Sequence, residues 1–307
     1  MRIDAFAGKR YYTLSAYYKK IFPHPVRKAA VDAGMTCPNR DGTKGTGGCA
    51  FCLARSAYFT GAGTVSQQLE RELLRIRAKE PNAQAIAYFQ AGSNTYAPAE
   101  RLKRLYDEAL LAEGVCGLSV ATRADCIDEE KAALLGDYAA RTHVTVELGL
   151  QTVHEKTSRL CGRGEMVQEF LDAFSLLQHA GVRVCIHLLN GLPGETEEMM
   201  LETARFAARL RPQGIKISQL HVLRSTPMAQ MHFEPLTLEQ AVRVTVGQLE
   251  LLPAETVVER LTGDGARSEV LYPLWTCNKK RVLAEIDKRM AALNTWQGKF
   301  APAEDRE

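Results

Sequence analysis

"KAAVDAGMTCPNRDGTKGTGGCAFC", residues 28–52, places a short apolar run directly before three cysteines. Residues 28–34 read as a strand, and Cys37, Cys49 and Cys52 follow at C-x11-C-x2-C spacing, with no further cysteine before Cys116. Barrel-type α/β proteins keep their chemistry just past the C-terminal ends of their strands. A metal knot made of cysteine alone takes four thiolates. Three therefore require a ligand from elsewhere or a coordination position that stays open. Gly42, Gly45, Gly47 and Gly48 let this loop wrap closely without Cβ clashes.

Working outward, apolar runs recur at 85–90, 117–122, 143–150, 182–189 and 215–222, each followed by a helical pattern. Runs apolar almost throughout fit parallel strands buried on both faces. Among the helices, Thr64 and Gln67 stand at capping-box spacing before a run that stops at Pro81. Another starts at Pro98 and ends at Gly114, and residues 195–210 open with acidic residues that suit the helix dipole. Six βα units predict an α/β fold, a partial, open (β/α)6 barrel with a small C-terminal cap. The expected divisions are a basic, aromatic segment (1–27), the barrel (28–228), the cap (229–300, holding helices 237–251 and 278–292 and the run 255–265) and a disordered tail (301–307).

A chain of 307 residues, 46% apolar, can bury a large core. The net charge of +3 says little by itself, but seven basic against two acidic residues in 1–36 concentrate positive charge there. No 18-residue apolar run suggests a membrane helix, and no apolar leader marks secretion. Eight cysteines then point to a reducing, cytoplasmic setting in which short spacings serve metals or chemistry.

For the cysteine loop three readings stand, one of them three coincidental free thiols. In another, three thiolates hold a 4Fe–4S cluster whose fourth iron stays open, free to chelate the amino and carboxylate groups of S-adenosylmethionine (SAM). Electron transfer would then split the sulfonium and release a 5′-deoxyadenosyl radical. In the third, zinc takes the three cysteines and His24 or His187.

Beyond the loop, "FQAGSNTYAP" (89–98), "GLSVATRADC" (117–126), "VELGLQTVHEKTSRLCGRGE" (146–165), "HLLNGLPGETEEMM" (187–200) and "LHVLRSTPMA" (220–229) close successive strands, and "ERLTGDG", "PLWTCNKK" and "NTWQGK" follow. In this order the chain resembles the YhcC/YtqA-like radical SAM proteins, bacterial relatives of the Elongator catalytic subunit. The resemblance implies that Cys37, Cys49 and Cys52 ligate the cluster. It implies SAM contacts at Gln90, Ala91, Gly92 and Ser93, through backbone where the superfamily has a Gly-Gly-Glu-like stretch, and at Glu147, Gln151, Arg163, His187 and Gly191. Close relatives have proline where this chain has Ala124, and Elongator-type proteins have glutamate at Ala121. For the residue completing the reaction, Tyr96, Arg123 and Cys277 are candidates.

Tyr11, Tyr12, Tyr17, Tyr18 and Phe22 interleave with Lys9, Arg10, Lys19, Lys20, Arg27 and Lys28, and Lys279, Lys280 and Arg281 recur near the C-terminus. Charges for phosphates with rings for stacking suit RNA, and the family implies tRNA, in particular the wobble-uridine side chain, with flavodoxin or ferredoxin as electron donor. The alternatives are a radical SAM reaction on a small metabolite or tetrapyrrole, and a non-catalytic, zinc-stabilised RNA-binding protein.

Overall fold

Alternating polarity along strand β4 (His143–Gln151) separates the layers of the molecule. Val144, Val146, Leu148 and Leu150 join the main apolar core, while Thr145, Glu147 and Gly149 point to the opposite face, because successive side chains alternate. The same division holds around a seven-stranded parallel sheet in the order β1–β2–β3–β4–β5–β6–β8, curved into an open half-barrel. Its other strands are β1 (Val26–Val31), β2 (Gln84–Phe89), β3 (Val115–Thr122), β5 (Arg183–Asn190), β6 (Gly214–Gln219) and β8 (Val257–Arg260). The computed structural model describes residues 6, 8–53, 61–263 and 265–301, so the expected tail lies outside the described residues from position 302 on.

Helices α2 (Val65–Arg77), α3 (Ala99–Leu111), α4 (Glu129–Ala139), α5 (Glu155–Leu160), α6 (Val167–His179) and α7 (Glu197–Arg209) alternate with the strands. The anticipated capping box starts α2: Gln67 N–H donates to Thr64 Oγ1 at 3.3 Å, and Thr64 N–H to Gln67 Oε1 at 3.1 Å. After β6 come the short strand β7 (Val222–Leu223), paired antiparallel with β9 (Val270–Tyr272), and helices α8 (Leu238–Leu251) and α9 (Lys279–Ala292).

Two features depart from the sequence expectation. The barrel has seven strands rather than six, because residues 257–260, assigned above to the cap, pair parallel with β6. And the aromatic N-terminal segment turns inward. Helix α1 (Leu14–Ile21) closes the half-barrel at the N-terminal ends of the strands, where Tyr18, Val26 and Ile86 form a cluster with Leu14, Tyr17 and Phe22. His143 meets Tyr18 and Phe22 edge-on at centroid separations of 6.0 and 5.6 Å. The C-terminal "TWQGK" secures the same end. Gln297, wholly buried, accepts from Tyr12 N–H at 2.8 Å and donates to Pro253 O and Thr256 O, each at 2.7 Å.

Candidate active site

At the C-terminal ends of the strands opens a cleft of about 1010 Å³, lined by Cys37, Cys49 and Cys52 among others. All three are free thiols. The loop that carries them is tightly bonded. Cys52 N–H donates to Cys49 O at 2.9 Å, Ala50 N–H to Cys161 O at 2.8 Å, and Met228 N–H to Ala50 O at 3.0 Å. Arg40 donates to three loop carbonyls, Gly47 O, Cys52 O and Leu53 O, at 2.9, 2.8 and 2.7 Å. Burial and the neighbouring Cys49 push the Cys52 thiol up to about 11, with Arg40 opposing.

The walls come from the loops after β2, β3 and β4. Gly92 stands at φ +74°, and any Cβ there would lie 2.3 Å from Met35 O, so only glycine lets this loop cross the one after β1. Next to it, Ser93 N–H donates to Thr36 O at 2.9 Å. Arg123 chelates Asp125 through Nε and Nη2 at 2.8 and 2.6 Å and donates to Arg163 O at 3.0 Å. Burial would raise Asp125, but Arg123 and Lys44 of the cysteine loop hold it below the usual carboxylate range. Arg163, itself buried, donates to Glu165 at 2.8 Å and to Gly149 O, fixing it beside Gln151, whose φ of +66° ends β4.

Glu147 and His187 form the floor. Glu147 Oε1 accepts from Lys28 and from Ser119 Oγ at 2.9 Å; Oε2 accepts from Lys216 and from Tyr88 OH at 2.7 Å. A carboxylate has about four acceptor positions, and protein donors fill them. His187 Nε2 accordingly lies 3.1 Å from Glu147 Oε2 without hydrogen-bonding geometry. Against its burial, Glu147 is held well below its ordinary pKa by Lys216 and Lys28. The two lysines differ because Lys28 also meets Glu259 at 2.8 Å. Two carboxylates keep Lys28 charged despite burial. Lys216 has Glu147 opposing its burial and is repelled by Lys28 and Arg260, which takes it to about 8. Burial and Lys216 likewise lower His187, leaving it neutral.

A half-barrel whose single cysteine-rich loop delivers three thiols to one cleft can be compared with known proteins. The profile of the Radical SAM superfamily matches residues 40–207, more than half of the chain, and that of the Radical_SAM C-terminal domain matches residues 212–292. The chain belongs to the radical SAM superfamily. Within it the chain groups with the YhcC/YtqA-like proteins. It is 42% identical over 299 residues to the uncharacterized protein YtqA of Bacillus subtilis, covering 95% of this chain and 93% of that one. A tRNA uridine(34) acetyltransferase of Methanocaldococcus infernus is 30% identical over 155 residues, 48% of this chain and 28% of its own. The solved structure of the archaeal M. infernus Elp3, lacking its N-terminal residues 1–46, superimposes with a TM-score of 0.67 at 18% identity, covering 89% of this chain and 64% of that one. The cofactors are those of the superfamily, a 4Fe–4S cluster and SAM.

This radical SAM chain brings most of its expected site residues together. Cys37, Cys49, Cys52, Gly92, Ser93, Arg123, Glu147, Gln151, Arg163 and His187 line one cleft, as does Ala121, whose register partner is Glu147. Gln90, Ala91 and Gly191 stand outside that lining; Gly191 donates to Met200 Sδ at 3.3 Å and packs under Leu236. Tyr96 is bonded to Thr43 of the cysteine loop at 2.8 Å, and Cys277 lies in the turn before α9, away from the cleft. The zinc alternative gives way to the family. Of its two candidate histidines, His24 sits near Lys19 and Arg27 at the N-terminal end of β1, the end opposite the cysteines, whereas His187 lines the cleft with them.

Part of the segment expected to face RNA is engaged within the fold. Tyr11 and Tyr18 are buried, Tyr17 stacks on Arg183, and Lys28 is committed to Glu147 and Glu259. Lys9 pairs with Asp287, and Arg10 donates to Thr295 O at 3.0 Å. Lys19, Lys20, Lys279, Lys280 and Arg281 remain exposed. The sequence reading missed Lys216, Tyr88 and Ser119 as the cage around Glu147. Their signal was present: polar residues at alternate positions inside apolar strands.

Proposed function

We propose that this radical SAM enzyme modifies tRNA, acting on the side chain of a wobble uridine. The observation that carries the chemical half is the convergence of three unpaired thiols from one loop on one cleft, which fits a cluster with an open iron. Support for the substrate half is the similarity to a tRNA uridine(34) acetyltransferase across half of the chain. An open half-barrel mouth also admits a large substrate, and exposed Lys279, Lys280 and Arg281 at the start of α9 offer phosphate contacts, while Lys19 and Lys20 lie on α1 at the opposite end.

When bound and reduced, the cluster and SAM supply hydrogen-atom abstraction at carbon, the step no side chain can perform. Cys37, Cys49 and Cys52 hold the iron. Of residues 90–93, Gly92 and Ser93 line the cleft and would hold the amino group of SAM through backbone, the chain having no carboxylate there. Gln151, Arg163 and neutral His187 orient the rest of the cofactor, with Gly191 shaping the strand end behind it. Glu147 acts from beneath as a fixed, saturated anchor. Arg123, locked by Asp125, faces the cleft and is the candidate to complete the reaction, whereas Tyr96 braces the cysteine loop through Thr43 and Cys277 lies away from the cleft. Reduction by a flavodoxin or ferredoxin, in the cytoplasm, completes the reading; no helix among the described residues is long and apolar enough to cross a membrane.

The test is to reconstitute the protein anaerobically with iron and sulfide, add SAM and a strong reductant, and quantify 5′-deoxyadenosine with and without tRNA from cells lacking this protein. Formation that rises with that tRNA and vanishes in Cys49→Ala is expected. Formation indifferent to tRNA would move the substrate to a small metabolite or tetrapyrrole.

A further inference from the structure

Asn39, 4% exposed, stands between the cysteine loop and the turn that carries Arg163. Its Nδ2 donates to Gly162 O at 2.7 Å and lies 3.5 Å from Cys49 Sγ, to which it also donates. A backbone carbonyl only accepts, so Gly162 fixes which end of the amide is nitrogen, and the second hydrogen is the one aimed at sulfur. The loop is shaped around this amide. A Cβ on Gly45 would lie 2.4 Å from Asn39 Oδ1, and no positive φ asks for glycine there. Gly48 N–H closes the loop onto Asn39 O at 2.8 Å.

We propose that Asn39 is a positioning residue that tunes the cluster, with its side-chain N–H on the Cys49 thiolate. This rests on the reading that Cys37, Cys49 and Cys52 ligate the iron. A hydrogen bond to a ligating sulfur withdraws electron density and stabilises the more negative, reduced state, which makes the cluster easier to reduce. The same amide locks the cysteine loop to the Arg163 turn, so the iron and the SAM-facing arginine share one brace.

The test compares wild type with Asn39→Ala and Asn39→Asp after reconstitution, reading iron content and the reduced fraction by spin counting at the wild-type midpoint potential. In Asn39→Ala the reduced-to-oxidised ratio falls about fivefold, the worth of one hydrogen bond. Asn39→Asp, which places a negative oxygen against sulfur, falls further. Full iron loading with an unchanged ratio in both variants overturns the proposal and leaves the cluster reading intact. A wild type that takes up no iron removes the cluster reading itself. Should neither variant load iron, the wild type decides. Pulsed EPR on reduced protein labelled with ¹⁵N-asparagine shows coupling to an asparagine nitrogen if Asn39 bonds the ligand, and the absence of coupling overturns the proposal.

Discussion

Glu147 is saturated by Lys28, Ser119, Lys216 and Tyr88, and this decides how the floor of the cleft responds to change. Glu147→Gln leaves two buried ammonium groups without their shared counter-charge. Breaking a buried ion pair from one side costs about 3–5 kcal/mol, so urea unfolding should show a loss of that order. Ser119→Ala removes a single neutral donor and should cost only about 1 kcal/mol. A similar loss for both would mean that the lysines do not depend on Glu147. At this scale the sequence disclosed that a carboxylate stood on an apolar strand, and read it as a SAM contact with a buried ion pair as the rival. The structure shows it in the cleft and ion-paired together. Lys28 and Lys216 are 188 positions apart in the chain, so no local pattern could have joined them to it.

Helix α1 gives the clearest element-scale consequence, because it seals His143 against Tyr18 and Phe22. Burial, aided by Arg183, lowers His143 from 6.5 to about 4. Between those two values the unfolded chain binds the proton and the folded one does not, so stability rises with pH through that window and falls as the solution is acidified. The full effect is up to roughly 3 kcal/mol. His143→Gln should flatten the slope of stability between pH 6.5 and 4, and carboxylates common to both proteins cancel in the comparison. Equal slopes would mean that α1 does not shield the ring. Thr64→Ala, at the α2 cap, should cost about 1 kcal/mol by thermal or urea melts. That cap was legible because a capping box is a four-residue signal. The inward turn of α1 was not, since rings interleaved with lysines look alike whether they stack on RNA or plug a barrel. Which holds depends on Val26, Ile86 and His143 at the strand starts, and those are distant in sequence.

For the whole molecule, the order of strands and the position of the cysteine loop followed from the βα rhythm, and six strands fell within a few residues of the runs that announced them. The seventh did not. Residues 257–260 are short and half polar, and their place beside β6 depends on partners elsewhere: Val258 N–H donates to Tyr12 O at 2.7 Å, in the segment that Gln297 then binds. Gln297→Ala strips a part-buried N–H and two buried carbonyls of their partner, so it should destabilise the fold by about 2–4 kcal/mol while leaving the cleft residues in place. The charge pattern was legible only in part at this scale. Among the described residues, the basic side chains of the first 36 positions divide between ion pairs and an exposed remainder, a division that only the closed fold makes.

The central claim is that one loop holds a three-thiolate cluster on which SAM binds. Its most direct test is iron analysis and EPR of the anaerobically reconstituted protein, before and after SAM, beside Cys37→Ala, Cys49→Ala and Cys52→Ala. About four irons per chain, a reduced signal that changes shape when SAM is added, and loss of both in each variant are the predicted result. A colourless protein that retains one zinc per chain and shows no response to SAM would contradict it.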